Sequence, residues 1–474
     1  MKKFSAFTFT FTFIFIITFF ALSANAKDGY SIKVHINGVR DSMIFLANHF
    51  GDKQYIQDSC RADAQGRAKF EGKTTLRAGM YLVVLPSKKY FEVMVDKQQF
   101  FSVEADTTLE PSHVKFKDTQ DNSDFYGWLN YLSAKRKEVE VLQAKLNALP
   151  EAERKDSKIK KDIEKADDEI EKYQDDYIAR NPAGMLSMIF KATREVDVPD
   201  APLLPNGQKD STFQFYYYKN HYFDNVNFGD ARLLRTPLFH QKLDYYIHKL
   251  TVQMPDSINL EADKLVKLAE KDTEVFKYTV WYITHTYETS NIMGLDAVFV
   301  HMVKSYYTKD KAYWLSEADL FKIQDRAKQL DPILVGKKVR NIVLNDTSEH
   351  AHSLYEVNTP YTILFFWDPD CGHCKKAIPK LVEFYSQWQS KGVEVFAVCT
   401  EVEVEKWKKF IKDNNLPWIN VADPKLHDNF RYDFDLSTTP QIFVLDKDKV
   451  IRAKKLDVEQ IGDFITHDKE KKMN

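Results

Sequence analysis

The sequence predicts three folded regions in series: an all-β sandwich, an all-α middle domain and a C-terminal α/β sandwich. Three observations predict this. Up to about residue 117, apolar residues alternate with polar ones. From about 118 to 330 they recur at three-, four- and seven-residue steps, as on helices. Beyond 333, continuous apolar runs alternate with helical stretches around a Cys-x-x-Cys pair. A length of 474 residues fits about three domains at roughly 150 residues each.

Composition narrows the function. The chain is 44% hydrophobic and 29% charged, enough to build real cores. With 15 Gly and 16 Pro, collagen-like and linker-dominated architectures are excluded. A net charge of −2 argues against a nucleic-acid binder, which is normally basic. The mean hydropathy of −0.45 excludes a polytopic membrane protein. Four cysteines are too few for a disulfide scaffold.

Residues 1–26 carry the pattern of a secretory signal peptide. Lys2 and Lys3 give a positive start, an apolar run follows from Phe4 to Leu22, and Ala24-Asn25-Ala26 is a small-x-small cleavage site. An uncleaved anchor is the alternative. No cysteine lies beside Lys27, so lipid attachment is not expected. The expected location is therefore the periplasm or cell envelope, where disulfides persist.

The β domain is expected over 27–117. Ile32, Val34 and Ile36 alternate with Lys33 and His35, and further strand-like runs cover 81–85 and 91–95. Asn37-Gly38 and Gln65-Gly66 are turn signals. Cys60 has no cysteine partner nearby and reads as a small strand or loop residue.

The helical domain is expected over 118–330. Phe125, Leu129, Leu132, Val139, Leu142, Leu146 and Leu149 mark one long helix stopped by Pro150. A charged stretch to Arg180 then suggests a helical hairpin with a solvated face; a partner-binding arm or a dimerisation element is the sharper alternative. Further helices are expected at about 212–226, 236–253, 260–270, 272–288, 294–307 and 316–329. They are crowded with aromatics, among them Tyr222, Tyr246 and Trp281, which read as core, with a grip for extended partners as the alternative. His285, Glu288 and His301 could share a metal, but structural or surface histidines are the better reading, and no metal is expected.

The chemistry is expected over 333–470. Residues 361–367 form an unbroken apolar run, as in a strand covered on both faces. Cys371-Gly372-His373-Cys374 follows, then a helix with Ile378, Leu381, Val382, Tyr385 and Trp388. Strands at 393–398, 441–445 and near 450, with helices at 403–413 and 458–465, complete the unit. The reactive sulfur species is thiolate, and a helix N-terminus stabilises an anion. Cys371 is therefore the expected nucleophile. Cys374, one turn further in, is the resolving thiol, and attack on a disulfide passes through a mixed disulfide. His373, with Lys375 and Lys376, should favour the Cys371 thiolate and raise the potential above that of a cytosolic thioredoxin. A structural disulfide or half a zinc site is the lesser reading of this pair, since no second ligand pair accompanies it.

These motifs, with Pro379 in the helix and Thr439-Pro440 before a strand, resemble the thioredoxin superfamily. Within it they are most similar to exported TlpA/ResA-like thiol-disulfide oxidoreductases. The layout with an N-terminal β domain and a helical middle domain resembles Bacteroidetes-type envelope proteins. The resemblance implies a thioredoxin-like α/β sandwich and a cis Pro440 facing the cysteines, with the Thr439 backbone presented to substrate. Trp367 and Gly372 are the further expected substrate contacts. It implies protein thiol or disulfide substrates, a membrane or periplasmic redox partner, no cofactor and no nucleic acid. The chain departs from the pattern at Phe365, where thioredoxins have a buried Asp, and at Ala377, where many relatives have Glu. Asp368, Asp370 or His373 are the candidates to move the Cys374 proton instead. A glycine usual near the last strand is absent from Lys449–Lys454, and Cys399 reads as a small buried residue. Two other classes compete: an envelope client-binding or adapter protein with a thioredoxin-like module, and a peroxidase. The latter is disfavoured because Asp368 stands where peroxidases place Thr.

Overall fold

The computed structural model describes residues 28–155 and 157–473. The expected signal peptide lies outside the described residues. By its internal contacts the chain divides into two compact units. One holds the described residues up to 48 with Ile56–Ala166, and the other holds His49–Tyr55 with the described residues from Asp167 onward.

In the first unit, alternation produces two four-stranded sheets. The first has the order β4–β1–β7–β8, from Arg67–Gly72, Tyr30–Asn37, Phe100–Asp106 and Lys115–Lys117. The second has the order β3–β2–β5–β6, from Lys53–Arg61, Met43–Phe50, Gly79–Val84 and Tyr90–Val95, although the tip of its β2–β3 hairpin, His49–Tyr55, is counted with the other unit. Ile32, Val34 and Ile36 are buried while Lys33 faces solvent, so the period of two decides the inner face. Gly66, at a predicted turn, has φ +79°, and a Cβ there would lie 2.3 Å from the Ile36 carbonyl oxygen. Cys60 lies half-buried on β3. Helix α1 (Gln120–Asn147) starts against β6: the Asn122 side chain accepts from Met94 N at 2.7 Å and donates to Met94 O at 2.7 Å. The charged stretch forms α2 (Glu151–Arg154) and α3 (Lys158–Arg180).

The second unit joins helices to a mixed sheet. Its helices are the C-terminal part of α3, then α4 (Met185–Thr193), α5 (Phe213–His221), α6 (Pro237–Tyr245), α7 (Pro255–Ala269), α8 (Thr273–Glu288), α9 (Asp296–Tyr306) and α10 (Glu317–Leu330). Helix α4 is an element the sequence pattern does not announce. Helix α6 is shorter than expected and passes into a π turn over Tyr246–Leu250. Helix α7 begins earlier, because Pro255 sits where a helix needs no N–H. Of the aromatics expected in the core, Tyr222, Tyr246 and Tyr282 are buried, but Trp281 is exposed, as are Phe215, Tyr216 and Tyr245, and others are half-buried. His301 bonds Asp263 at 2.8 Å and His285 stacks on Trp281, so His285, Glu288 and His301 do not converge on one point.

Seven strands follow in the order β10–β9–β13–β12–β11–β14–β15. They are β9 (Val343–Asn345), β10 (Ala351–Ser353), β11 (Tyr361–Trp367), β12 (Val393–Cys399), β13 (Ile419–Ala422), β14 (Gln441–Asp446) and β15 (Ile451–Lys454). The interleaved helices are α11 (Gly372–Trp388), α12 (Val404–Asn414), α13 (Phe430–Asp433) and α14 (Val458–Met473). Strand β11 is buried at every position, as its unbroken apolar run requires. It pairs parallel with β12 and antiparallel with β14. No glycine stands in the chain around β15, although Lys449 takes φ +64° and Lys455 φ +59°, and Lys449 buries its side chain. Its Nζ donates to Val357 O at 2.7 Å and Thr362 Oγ1 at 3.0 Å.

Helices and sheet are pinned to one another by polar contacts. Lys454 of β15 pairs with Asp296 of α9, both side chains almost wholly buried, and Lys454 Nζ also donates to Ile333 O at 2.7 Å. Arg326 of α10 pairs with Asp435, and Tyr432 of α13 donates to Asp325. Removing one partner of a buried pair strands the other charge, which costs about 3–5 kcal/mol, whereas a well-packed apolar replacement of both is often neutral. Asp296→Ala should therefore lower stability by about that amount in a denaturant melt. The double variant Asp296→Leu/Lys454→Met should recover most of it, and equal losses in both would refute the assignment.

Candidate functional site

Strand β11 carries the chain to the middle of one sheet edge, and the site begins where it ends. Thr400 N donates to Trp367 O at 2.8 Å, closing the sheet there. A short turn follows, in which Asp368 Oδ1 accepts from Asp370 N at 2.7 Å and Asp368 O accepts from Cys371 N at 3.2 Å. The turn delivers Cys371 as the N-cap of α11. Its backbone is extended, and its sulfur accepts from Cys374 N at 3.4 Å.

The two sulfurs occupy opposite environments. Cys371 is half-buried and Cys374 is wholly buried. Burial pushes the Cys371 thiol up, but hydrogen bonds from the Thr439 hydroxyl, the Cys374 N–H and thiol, and the His373 N–H outweigh it. The thiol is held below its ordinary value. For Cys374, burial dominates and the thiol is pushed up to about 12. The two thiols lie within hydrogen-bond reach of one another. Cys399, at the end of β12, is fully buried, and burial pushes its thiol up as well.

The strand register brings the proline loop here. Gln441 opposes Phe366 in the β14–β11 ladder, so the residues before Gln441 lie beside those after Trp367. The Thr439–Pro440 peptide is cis, and the Cys371 thiol donates to Thr439 O at 3.1 Å. Thus Cys371, Cys374, Thr439 and Pro440 come together. Gly372 is the exposed first residue of α11, with open space where a Cβ would stand. His373 is exposed and contributes its backbone N–H to the sulfur, while its side chain faces a groove. Trp367, expected at the substrate surface, is placed elsewhere. Its side chain is fully buried and packs on Phe410 at 5.1 Å, so it supports the site from below and cannot meet a substrate. Strand β11 is covered on both faces, so either face would enclose it.

Asp368, Asp370 and Glu401 gather their carboxylates beside the cysteines. Lys406 bonds both Asp370 and Glu401, and Thr400 Oγ1 donates to Asp368 at 3.3 Å, so each carboxylate has a protein partner.

Next to the thiols lies an open groove of about 830 Å³. His373, Lys376 and Pro440 line one side of it. Glu288, Asn291 and Arg326, from the helical part of the same unit, line the other. Sequence reading missed those three for this site, since no motif ties them to cysteines so far along the chain.

Known proteins share this C-terminal region. The AhpC/TSA family model matches residues 335–454, and a domain of unknown function (DUF5106) matches residues 152–331. The thiol-disulfide oxidoreductase ResA of Bacillus thuringiensis subsp. konkukian is 30% identical over 119 residues, covering 25% of this chain and 68% of that protein. ResA of Bacillus cereus is 27% identical over 114 residues, covering 24% of this chain and 65% of its own length. Among solved structures, a domain of a possible thiol-disulfide isomerase from Cytophaga hutchinsonii is 41% identical. It covers 30% of this chain and 99% of that one, with a TM-score of 0.29. A thioredoxin-like protein from Bacteroides caccae is 22% identical, covering 57% and 99%, with a TM-score of 0.46.

The asymmetry of the sulfurs predicts selective alkylation. A free cysteine titrates near 8.5. Iodoacetamide should label Cys371 with a rate whose midpoint lies below that value, falling about tenfold per pH unit beneath the midpoint. Cys374 should stay unlabelled at neutral pH. Because the folded-state value is depressed, ionised Cys371 stabilises the reduced fold above pH ~8.5, and that gain is lost as pH falls through the folded value. A labelling midpoint at or above 8.5 would contradict this reading.

Proposed function

The chain belongs to the thiol-disulfide oxidoreductase family of ResA, and from that premise we propose that it exchanges dithiols and disulfides with protein substrates in the periplasm or cell envelope. The observation that carries the proposal is the pair of sulfurs one helical turn apart, one capping α11 with its thiol held below its ordinary value and the other buried with its thiol raised. The Cys371 thiolate attacks one sulfur of a substrate disulfide, forming a mixed disulfide and releasing the other substrate sulfur as thiolate. Cys374 gives its proton to solvent or to the substrate thiolate already released, and attacks the Cys371 sulfur. The Cys371–Cys374 disulfide forms and the second substrate thiolate leaves. Two electrons pass from enzyme to substrate, and the reverse sequence oxidises a dithiol.

Export is supported by the pattern of residues 1–26, and no helix among the described residues is long and apolar enough to cross a membrane. Thr439 and Pro440 form the shelf beside which a substrate sulfur reaches Cys371. Gly372 keeps that approach open, and His373 flanks it.

Two measurements test this. Insulin reduction by the protein without residues 1–26 should be abolished in Cys371→Ser, whereas Cys374→Ser should accumulate a mixed disulfide that reductant releases. Full activity in Cys371→Ser would sink the proposal. Hydrogen bonds that favour the Cys371 thiolate stabilise the reduced form, so a redox titration should place the couple above the roughly −270 mV of thioredoxin.

A further inference from the structure

Taking the reading above as its basis, we infer that the helical part of the second unit is the specificity wall of the thiol site, and that the groove it closes holds an extended polypeptide segment flanking the substrate's cysteine. Three observations carry this.

The first is placement. Glu288 at the end of α8, Asn291 in the following turn and Arg326 on α10 face the same groove as His373, Lys376 and Pro440. Cys371 bonds Thr439 O, and the adjoining Pro440 and His373 line the groove, so a chain that continues from a sulfur at Cys371 past Pro440 enters it. The second is rigidity. The wall is not a loose loop: Asp296 is bound to the buried Lys454, Arg326 to Asp435, and Lys455 Nζ donates to Ser290 O at 3.1 Å. These contacts bracket the turn that carries Asn291 and hold it at a fixed distance from the thiols. Pre-organised walls of this kind limit the ordering cost of binding.

The third is chemistry. Glu288, Asn291 and Lys376 are exposed, and they put an acid, an amide and a base along the two sides. Sites for small molecules are concave and mostly apolar. An open trough edged with charges of both signs instead suits a peptide backbone with polar side chains on either hand. Glu288 and Asn291 are thus positioning residues: they touch the substrate chain, not the reacting sulfurs.

The test uses the protein without residues 1–26, carrying Glu288→Lys or Asn291→Trp, with insulin and dithiobis(nitrobenzoate) as paired substrates. The ratio of the insulin rate to the small-disulfide rate should fall at least fivefold in either variant, through KM for insulin. An unchanged ratio in both overturns the inference. A loss confined to the small disulfide also overturns it, since the groove would then serve a low-molecular-weight disulfide. A second measurement needs no change in the wall. Insulin trapped on Cys374→Ser should slow hydrogen exchange over residues 288–294, and unprotected exchange there overturns the inference. Failure of the whole family reading looks different, because Cys371→Ser would then leave both rates intact.

Discussion

Two sulfurs one helical turn apart must differ in environment, and the rest of the second unit follows from how the chain achieves this. Strand β11 is apolar on both faces, so it can only sit in the middle of the sheet, and its end is fixed in space. A helix that starts directly after it presents free N–H groups to whatever caps it. The cap is Cys371, at the rim, while Cys374 points down into the hydrocarbon of Phe365, Trp367 and Ile378. The same strand supplies the second half of the site. Pairing Phe366 with Gln441 places the Thr439 carbonyl at the sulfur of Cys371 with no further device.

This logic also shows which parts of the molecule can be read from sequence. Strand β11 and helix α11 are legible because their apolar patterns are long and of a single kind. Pro440 is legible because a Thr-Pro before a strand is local. Strands β9 and β10 are three residues each at the sheet edge, and β13 is four, too short for a period to show. Helix α4 hides behind the Asn181-Pro182 turn signal. Trp367 shows a subtler gap. Its type and position are evident, but which face it occupies depends on the register of a strand buried on both faces, where the usual alternation of apolar and polar residues is silent. Glu288, Asn291 and Arg326 lie beyond reach for another reason: their meaning comes from tertiary packing across elements far apart in the chain.

The departures from the family pattern fit one physical picture. Phe365, in place of a buried acid, is fully enclosed, and Ala377 supplies no carboxylate on the groove side. The region beneath Cys374 is therefore hydrocarbon, and burial raises its thiol. The nearby acids do not make up the difference. Asp368 is engaged by Asp370 N and Thr400, while Asp370 and Glu401 share Lys406. Of the groups the sequence offered to move the Cys374 proton, the two aspartates are thus committed to the turn itself, and the His373 side chain faces the groove rather than the buried sulfur. The polar assistance that reaches Cys374 comes from the Asp368 backbone and from Thr439, which reaches both thiols, and it does not outweigh burial there. Among the described residues, the site sets its two sulfurs apart by hydrogen-bond donors and burial, without a dedicated internal carboxylate, and the thiol-lowering contacts outweigh burial only at the Cys371 end.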